Sequence, residues 1–146
     1  MTVAFSHIGI CVSDLERSVR FYRDALGFEV AQEHTVGTEF ATLMELEDVR
    51  LRSCFLRRDG VWIELLHFDE PGHCGEGVRR PMNRLGLTHL SVRVDDVDAV
   101  AQAVTRAGGT VHTGTRTTFG SEPDALDFVY CTDPDGVRVE LMHLPG

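Results

Sequence analysis

The sequence Asp59-Gly-Val-Trp-Ile-Glu-Leu-Leu-His67 recurs near the end of the chain as Asp135-Gly-Val-Arg-Val-Glu-Leu-Met-His143. Each copy opens with an Asp-Gly turn signal and continues as a short apolar run rich in strand formers. One glutamate interrupts each run, Glu64 in the first copy and Glu140 in the second. Because a carboxylate is rarely placed in a buried strand without a partner, the repeated glutamate indicates a functional position.

A second pattern is also repeated, ahead of each glutamate strand. Residues 5–12 alternate between apolar and other residues and predict a strand, and residues 88–94 repeat the alternation. A helix is predicted after each of these strands, the first ended by Gly27 and the second by Gly108 and Gly109. The chain is therefore predicted to be an α+β protein of two tandem βαβββ modules that arose by internal duplication.

The domain boundaries follow from where the repeated pattern stops. Residues 69–86 are rich in glycine, proline and charged residues and are predicted to be a linker. We predict a single domain over residues 1–146, with an N-terminal module at 1–68 and a C-terminal module at 87–146. Residues 112–125 are predicted to be a mobile polar loop.

The first helix is predicted in more detail from its start signal and its periodicity. Ser13 and Glu16 have the spacing of a capping box, which predicts the beginning of the helix. The side chains predicted to be buried have helical spacing: Leu15, Val19, Tyr22 and Leu26.

The charge and cysteine content exclude several classes of function. The chain has 146 residues with 14 basic and 23 acidic residues, and a net charge of −9 argues against nucleic acid or an anionic membrane as partner. All basic residues are arginines, so Schiff-base chemistry on a lysine is excluded. The four cysteines show no C-x-x-C spacing, and no apolar run is long enough to span a membrane. These features predict a cytoplasmic protein that acts on a small molecule.

Alternation places four polar residues on one face of their strands. The apolar neighbours of His7, Glu64, His89 and Glu140 are expected to face the helices, so these four side chains point the other way. A lone histidine in a strand is more often a hydrogen-bonded core residue than a ligand. Two imidazoles and two carboxylates that share a face predict a site for one divalent metal ion, with Ni, Co, Zn, Mn and Fe all suitable.

The same alternation selects residues for the substrate and rejects two other histidines. Five residues share the face of the four ligands and are predicted to line a substrate cavity: Cys11, Trp62, Phe68, Arg93 and Arg138. The two arginines suit a carboxylate or phosphate, although arginines at a sheet edge also extend to solvent without binding anything. His67 and His143 lie an odd number of residues from the glutamates, so a structural role on the helix side is predicted for them.

The duplicated modules, the histidine in each first strand and the ending Asp133-Pro-Asp-Gly-Val-Arg-Val-Glu-Leu141 resemble the vicinal oxygen chelate superfamily. That superfamily includes glyoxalase I, bleomycin resistance proteins and extradiol dioxygenases. The resemblance implies sheets that curve around a shared metal-binding cavity. It also implies a homodimer, with each site formed within one chain or across the dimer. His7, Glu64, His89 and Glu140 correspond to the four metal ligands of glyoxalase I.

The resemblance implies a metal-dependent isomerase or lyase of the glyoxalase I or epimerase type. Such an enzyme moves a proton next to a carbonyl through a metal-bound enediolate, with Glu140 as the base and Glu64 as its counterpart. Cys11 and Phe68 stand where bacterial glyoxalase I has the residues that bind glutathione, so another substrate is expected. The alternatives are an Fe(II)-dependent extradiol-type dioxygenase, which would use His7, His89 and Glu140, and a non-catalytic binding or resistance protein.

Overall fold

In the computed structural model, which describes residues 1–146, the two halves of the chain form sheets of the same topology. The first sheet has the strand order β1-β4-β3-β2, with β1 parallel to β4 and the other neighbours antiparallel. Its elements are β1 at Ile8–Cys11, α1 at Leu15–Asp24, β2 at Glu29–Val36, a 3₁₀ turn at Thr38–Phe40, α2 at Ala41–Met44, β3 at Arg50–Arg58 and β4 at Val61–Glu70.

The second sheet repeats this arrangement in the order β5-β8-β7-β6, with β5 parallel to β8. Its elements are β5 at Leu90–Arg93, α3 at Val97–Arg106, β6 at Thr110–Phe119, β7 at Leu126–Thr132 and β8 at Arg138–His143. The prediction of an α+β protein with two tandem βαβββ modules is confirmed. No helix of the structure has the length and apolar character needed to cross a membrane.

The chain divides into two compact units. Unit 1 comprises Met1–Arg23 and Gly27–Gly75, and unit 2 comprises Asp24–Leu26 and Glu76–Gly146. The main division, between residues 75 and 76, falls inside the segment predicted to be a linker.

The core of each unit lies on the face of the sheet opposite to Glu64 in unit 1 and to Glu140 in unit 2. In unit 1, Ile63 and Leu65 flank Glu64 in β4 and are fully buried. The ion pair between Glu16 in α1 and Arg52 in β3, with 2.7 Å between Oε1 and Nη1, shows that the helix lies on this side. In unit 2, Val139 and Leu141 flank Glu140 and are fully buried. Strand periodicity thus separates an apolar helix side from the opposite face.

The segment between β2 and β3 departs from a simple βαβββ module. The 3₁₀ turn and α2 cover one end of the glutamate face of the first sheet. Ala41, Val49 and Leu51 form a buried apolar cluster there, with Leu66 and Phe68 packed against it. This end of the face is therefore closed by the protein's own side chains.

Two local predictions were wrong. The side chain that caps α1 is Asp14 and not Ser13, because its Oδ1 accepts the backbone N–H of Arg17 at 2.8 Å. The helix also buries Ser18 and Phe21, while Val19 is only half-buried. Residues 112–119, the first part of the predicted loop at 112–125, belong to strand β6 at Thr110–Phe119. The β-branched threonines of this stretch favour a strand, and its polar character reflects its place at the sheet edge.

The two Asp-Gly turns differ in their surroundings. Gly60 and Gly136 both have positive φ, +79° and +85°, which only glycine adopts at little cost. A Cβ at Gly60 would meet nothing within 4 Å, whereas a Cβ at Gly136 would lie 2.6–2.9 Å from backbone atoms of Val78. The backbone of Val78 therefore packs directly against the second turn.

We expect Gly136→Ala to destabilise the protein more than Gly60→Ala. Both variants carry the cost of a non-glycine residue at positive φ, about 1–2 kcal/mol. Only Gly136→Ala also overpacks the contact with Val78, which typically costs about 1–3 kcal/mol more. Urea unfolding of the two variants measures the difference. Equal free energies of unfolding would show that Val78 is not held against the turn.

Candidate metal and active site

The first functional pair lies in unit 1. His7 directly precedes β1, and its Nε2 is 3.2 Å from Oε2 of Glu64 in β4. The Nδ1 atom of the same ring is 2.8 Å from Oγ of Ser6. Phe55, the cross-strand neighbour of Glu64, presents its ring 5.0 Å from the His7 ring in an edge contact. The side chains of His7 and Glu64 are 34% and 17% exposed, so solvent still reaches the pair.

The second pair, in unit 2, repeats this geometry. His89 directly precedes β5, and its Nε2 is 3.7 Å from Oε2 of Glu140 in β8. Its Nδ1 is 2.9 Å from Oγ1 of Thr88, the preceding residue. Tyr130 occupies the cross-strand position next to Glu140, and its ring lies 5.5 Å from the His89 ring. The sequence prediction that each histidine shares a face with its glutamate therefore agrees with the structure.

The hydroxyl partners of the two histidines suit metal binding. When Nδ1 carries the ring proton, it donates to the hydroxyl oxygen and leaves the Nε2 lone pair directed at the carboxylate. Metal-bound histidines are usually held in this way by an acceptor on their second nitrogen. The sequence signal for this contact is a hydroxyl residue immediately before each histidine, Ser6 before His7 and Thr88 before His89.

The donor atoms suit a divalent cation, but each His–Glu pair supplies only two of the four predicted ligands. Imidazole nitrogen and carboxylate oxygen together suit borderline divalent ions. Catalytic zinc sites, for comparison, use three protein ligands. No group of three or more histidine, cysteine, aspartate or glutamate side chains in the structure is placed to hold a metal ion. The assembly of the two pairs into one site remains a prediction.

The two glutamates have different hydrogen-bonding surroundings. Ser91 donates from Oγ to Oε2 of Glu140 at 2.7 Å, and Tyr130 is the cross-strand neighbour of that glutamate. Burial, and next the negative charge of Glu140, raise the pKa of Tyr130, which keeps its O–H as a donor near neutral pH. The equivalent positions beside Glu64 are Gly9 and Phe55, which carry no hydroxyl.

The predicted substrate residues of unit 1 lie in different surroundings. Cys11 is exposed at the end of β1, where it pairs with Leu66. Trp62 is half-buried, and the guanidinium of Arg57 lies 6.0 Å from the centre of its ring. Phe68 packs against the apolar cluster under α2. Of the two aromatic side chains, Trp62 lies outside the apolar cluster that holds Phe68.

The two predicted arginines of unit 2 contrast with each other. Arg93 is exposed and donates from Nη2 to the carbonyl oxygen of Leu144 at 3.1 Å. Arg138 is only 8% exposed and donates from Nη2 to the carbonyl oxygen of Arg80 at 2.6 Å. The Arg138 guanidinium also lies 4.9 Å from the centre of the Tyr130 ring.

The remaining repeated histidines have the structural role predicted for them. His67 Nδ1 lies 3.3 Å from the carbonyl oxygen of Val12, and His143 Nδ1 lies 3.1 Å from that of Val94. Each ring thus ties the end of the glutamate strand to the end of the first strand in its unit.

Two curated relatives align with nearly the whole chain. One is a 2-epi-5-epi-valiolone epimerase from Actinomyces sp, 30% identical over 99% of this chain and 81% of that protein. Another is a lactoylglutathione lyase from Haemophilus influenzae, 27% identical over 93% of this chain and 89% of that protein. Both are named as enzymes, one as an epimerase and one as a lyase.

Solved structures share the fold. A glyoxalase family protein from Bacillus cereus superposes with a TM-score of 0.84 at 17% identity, covering 100% of this chain and 97% of that chain. The fosfomycin resistance protein FosX from Listeria monocytogenes, solved with Mn(II) and sulfate, superposes with a TM-score of 0.63 at 17% identity, covering 99% of this chain and 95% of that chain. The model of the family described as the Glyoxalase/Bleomycin resistance protein/Dioxygenase superfamily matches residues 4–141. The chain therefore belongs to the glyoxalase, bleomycin resistance protein and dioxygenase superfamily, as its duplicated modules predicted.

Proposed function

We propose that the protein is a metal-dependent isomerase or lyase that moves a proton on the carbon next to a carbonyl group. The observation that carries this proposal is the duplicated His–Glu pair, in which a hydroxyl holds Nδ1 and leaves Nε2 facing a carboxylate. The epimerase and the lyase among the relatives support the reaction class.

His7, Glu64, His89 and Glu140 are the proposed ligands of one divalent ion, and Ni, Co, Zn, Mn and Fe remain candidates. Mn(II) in the FosX structure shows that the fold can hold such an ion. When bound, the ion would polarise the substrate carbonyl and acidify the neighbouring C–H bond. The homodimer implied by the family resemblance is part of this proposal.

Glu140 is the proposed base. Its carboxylate takes the proton from the carbon next to the carbonyl, and the resulting carboxyl group returns a proton to the substrate, so the enzyme is regenerated. The hydroxyl of Ser91 orients this carboxylate and Tyr130 lies beside it, whereas the equivalent positions beside Glu64 are Gly9 and Phe55, which carry no hydroxyl. Glu64 is the second carboxylate of the site and the counterpart of Glu140 in the repeat.

The substrate is proposed to be a small carbonyl compound other than a glutathione adduct. Cys11, Trp62, Phe68, Arg93 and Arg138 are the proposed substrate-binding residues. Phe68 packs into the apolar cluster, where it offers no hydrogen bond to a peptide-like substrate. Trp62 offers an apolar surface and Arg138 a cation, which suits a substrate with one apolar and one charged part.

Solvent deuterium exchange tests the proposed reaction. Metal-reconstituted protein in D₂O should incorporate deuterium at the carbon next to the carbonyl of α-hydroxy carbonyl compounds, without consuming oxygen. NMR of the substrate and an oxygen electrode measure the two quantities in one reaction mixture. Oxygen uptake with catechol-like substrates and Fe²⁺, in the absence of exchange, would reject the proposal in favour of a dioxygenase.

A further inference from the structure

The guanidinium of Arg138 is buried without an anionic partner. Its contacts are the carbonyl oxygen of Arg80 and the face of the Tyr130 ring, and it makes no ion pair. Arg116 in the same unit is, by contrast, paired with both Asp98 and Asp127. Because a buried charge is normally paired, the surroundings of Arg138 lack one negative group.

Two further polar groups lie beside Arg138 on the same face of the second sheet. His112 in β6 is the cross-strand neighbour of Tyr130, and Thr132 is the neighbour of Arg138. The Nε2 atom of His112 is 3.1 Å from Oγ1 of Thr132. Burial, and next the charges of Arg79 and Arg138, lower the pKa of His112. The lowered pKa favours the neutral imidazole, so the positive charge at this place comes from Arg79 and Arg138, and His112 offers hydrogen bonding.

The backbone that carries Arg79 and Arg80 is held over this face. The backbone of Val78 packs against the turn at Gly136. Gly77 lies against Asp135, so that a Cβ on Gly77 would be 3.5 Å from the Asp135 carbonyl oxygen. The hydrogen bond from Arg138 to the Arg80 carbonyl extends the same contact. The fold of unit 2 therefore positions the Arg138 guanidinium and the backbone at Arg80, which the two hold against each other.

The repeat shows that a buried, unpaired guanidinium occurs in only one half of the chain. The position of Arg138 is occupied in the first copy by Trp62, and that of Tyr130 by Phe55. The two glutamate strands are otherwise almost identical, so the difference lies in the side chains that share a face with the proposed ligands. The face of unit 1 carries Trp62 with the exposed Arg57, which is paired with Glu29, whereas the face of unit 2 carries the buried guanidinium of Arg138.

We propose that Arg138 and His112, with the Thr132 hydroxyl, bind an oxyanion group of the substrate, either a carboxylate or a phosphate. This inference rests on the proposed function in one respect, namely that the ligand is the substrate of the same site. Arg138 and Glu140 are two residues apart in β8 and share a face, which separates their Cα atoms by roughly 6.6 Å. The substrate class is therefore a small α-hydroxy or α-keto compound whose anionic group lies a few bonds from the reacting carbon.

Direct titration of the metal-free protein tests the anion site independently of catalysis. Inorganic phosphate and acetate, followed by NMR shifts of backbone amides in unit 2, should show saturable binding with a Kd of about 1–10 mM for at least one ion. The tighter ion identifies the anionic group. Arg138→Ala should weaken that binding at least about 10-fold, the loss of one charge-assisted contact. The matched control Arg106→Ala should change it less than about twofold, because that guanidinium is exposed in the last turn of α3.

Two further variants protect this test from misinterpretation. His112→Gln keeps a hydrogen bond to Thr132 but removes the imidazole, and it should weaken anion binding about 3- to 10-fold even if Arg138→Ala does not fold. His143→Ala removes an imidazole bonded to the Val94 carbonyl oxygen on the other side of the sheet, and it should leave anion binding to the metal-free protein unchanged. The inference is overturned if neither ion binds saturably, or if Arg138→Ala and His112→Gln both fold and bind as the parent protein does.

A substrate pair then connects the anion site to the reaction. Dihydroxyacetone and dihydroxyacetone phosphate have the same α-hydroxyketone and differ only in the phosphate. If phosphate is the tighter ion, deuterium exchange should favour the phosphate at least about 10-fold in kcat/KM, and Arg138→Ala should remove the preference. If acetate is tighter, the same comparison applies to a hydroxyketone with and without a carboxylate. If exchange occurs with no preference for the anionic substrate, the anion site does not bind the substrate, and the inference is overturned. If the anions bind but no exchange occurs, the proposed function is wrong instead.

Discussion

Glu140→Gln should lower the rate of deuterium exchange by about 10²–10⁴-fold, the usual contribution of a positioned general base. Glutamine has nearly the same shape as glutamate, and its amide oxygen can still accept the hydrogen bond from Ser91. It cannot take up the substrate proton, so the rate falls while the fold is preserved. The amide oxygen also remains a weak metal ligand, so part of the metal affinity should survive.

Glu64→Gln is the matched control for this variant, because the two glutamates occupy equivalent positions of the repeat. It removes the carboxylate that lacks hydroxyl partners, so it should reduce exchange less than Glu140→Gln when both variants are saturated with metal. Exchange rates measured at saturating metal separate the two effects. If Glu64→Gln lost the exchange and Glu140→Gln retained it, the assignment of the base to Glu140 would be wrong.

His89→Ala should weaken binding of the divalent ion by at least about 100-fold. The loss of a ligand must exceed the 10- to 100-fold that the loss of a ligand's hydrogen-bond partner typically costs. His143→Ala is the control from the same unit, because its ring is bonded to the Val94 carbonyl on the other side of the sheet. That control should lose stability but retain metal affinity. Calorimetric titration of both variants with Ni²⁺ or Co²⁺ measures the affinities, and unchanged affinity in His89→Ala would eliminate the site.

Strand periodicity explains why much of the fold and both His–Glu pairs could be predicted. Successive side chains of a strand face opposite sides, so apolar residues at positions 63 and 65 determine where Glu64 points. The duplication then supplied an independent second example at Glu140. The same parity argument separated His67 and His143 from the pairs, and their bonds to backbone carbonyls agree with it.

Features that depend on pairing between strands could not be predicted in this way. The contacts of Ser91 and Tyr130 with Glu140 require the register of β5, β7 and β8, which local alternation does not determine. His112 was missed for a different reason, because the edge strand β6 is mostly polar and resembles a loop in sequence. The cover formed by α2 was missed because its apolar residues follow neither a long helical nor a strand period.

The stoichiometry of metal binding tests the central claim most directly, namely that the two pairs complete one site. Elemental analysis of protein saturated with a divalent ion and then freed of excess metal should give one tightly bound ion per chain. Either His7→Ala or His89→Ala should reduce that value to nearly zero, because each variant removes one of the four donors. Two ions per chain, or one ion that survives both substitutions, would contradict the account.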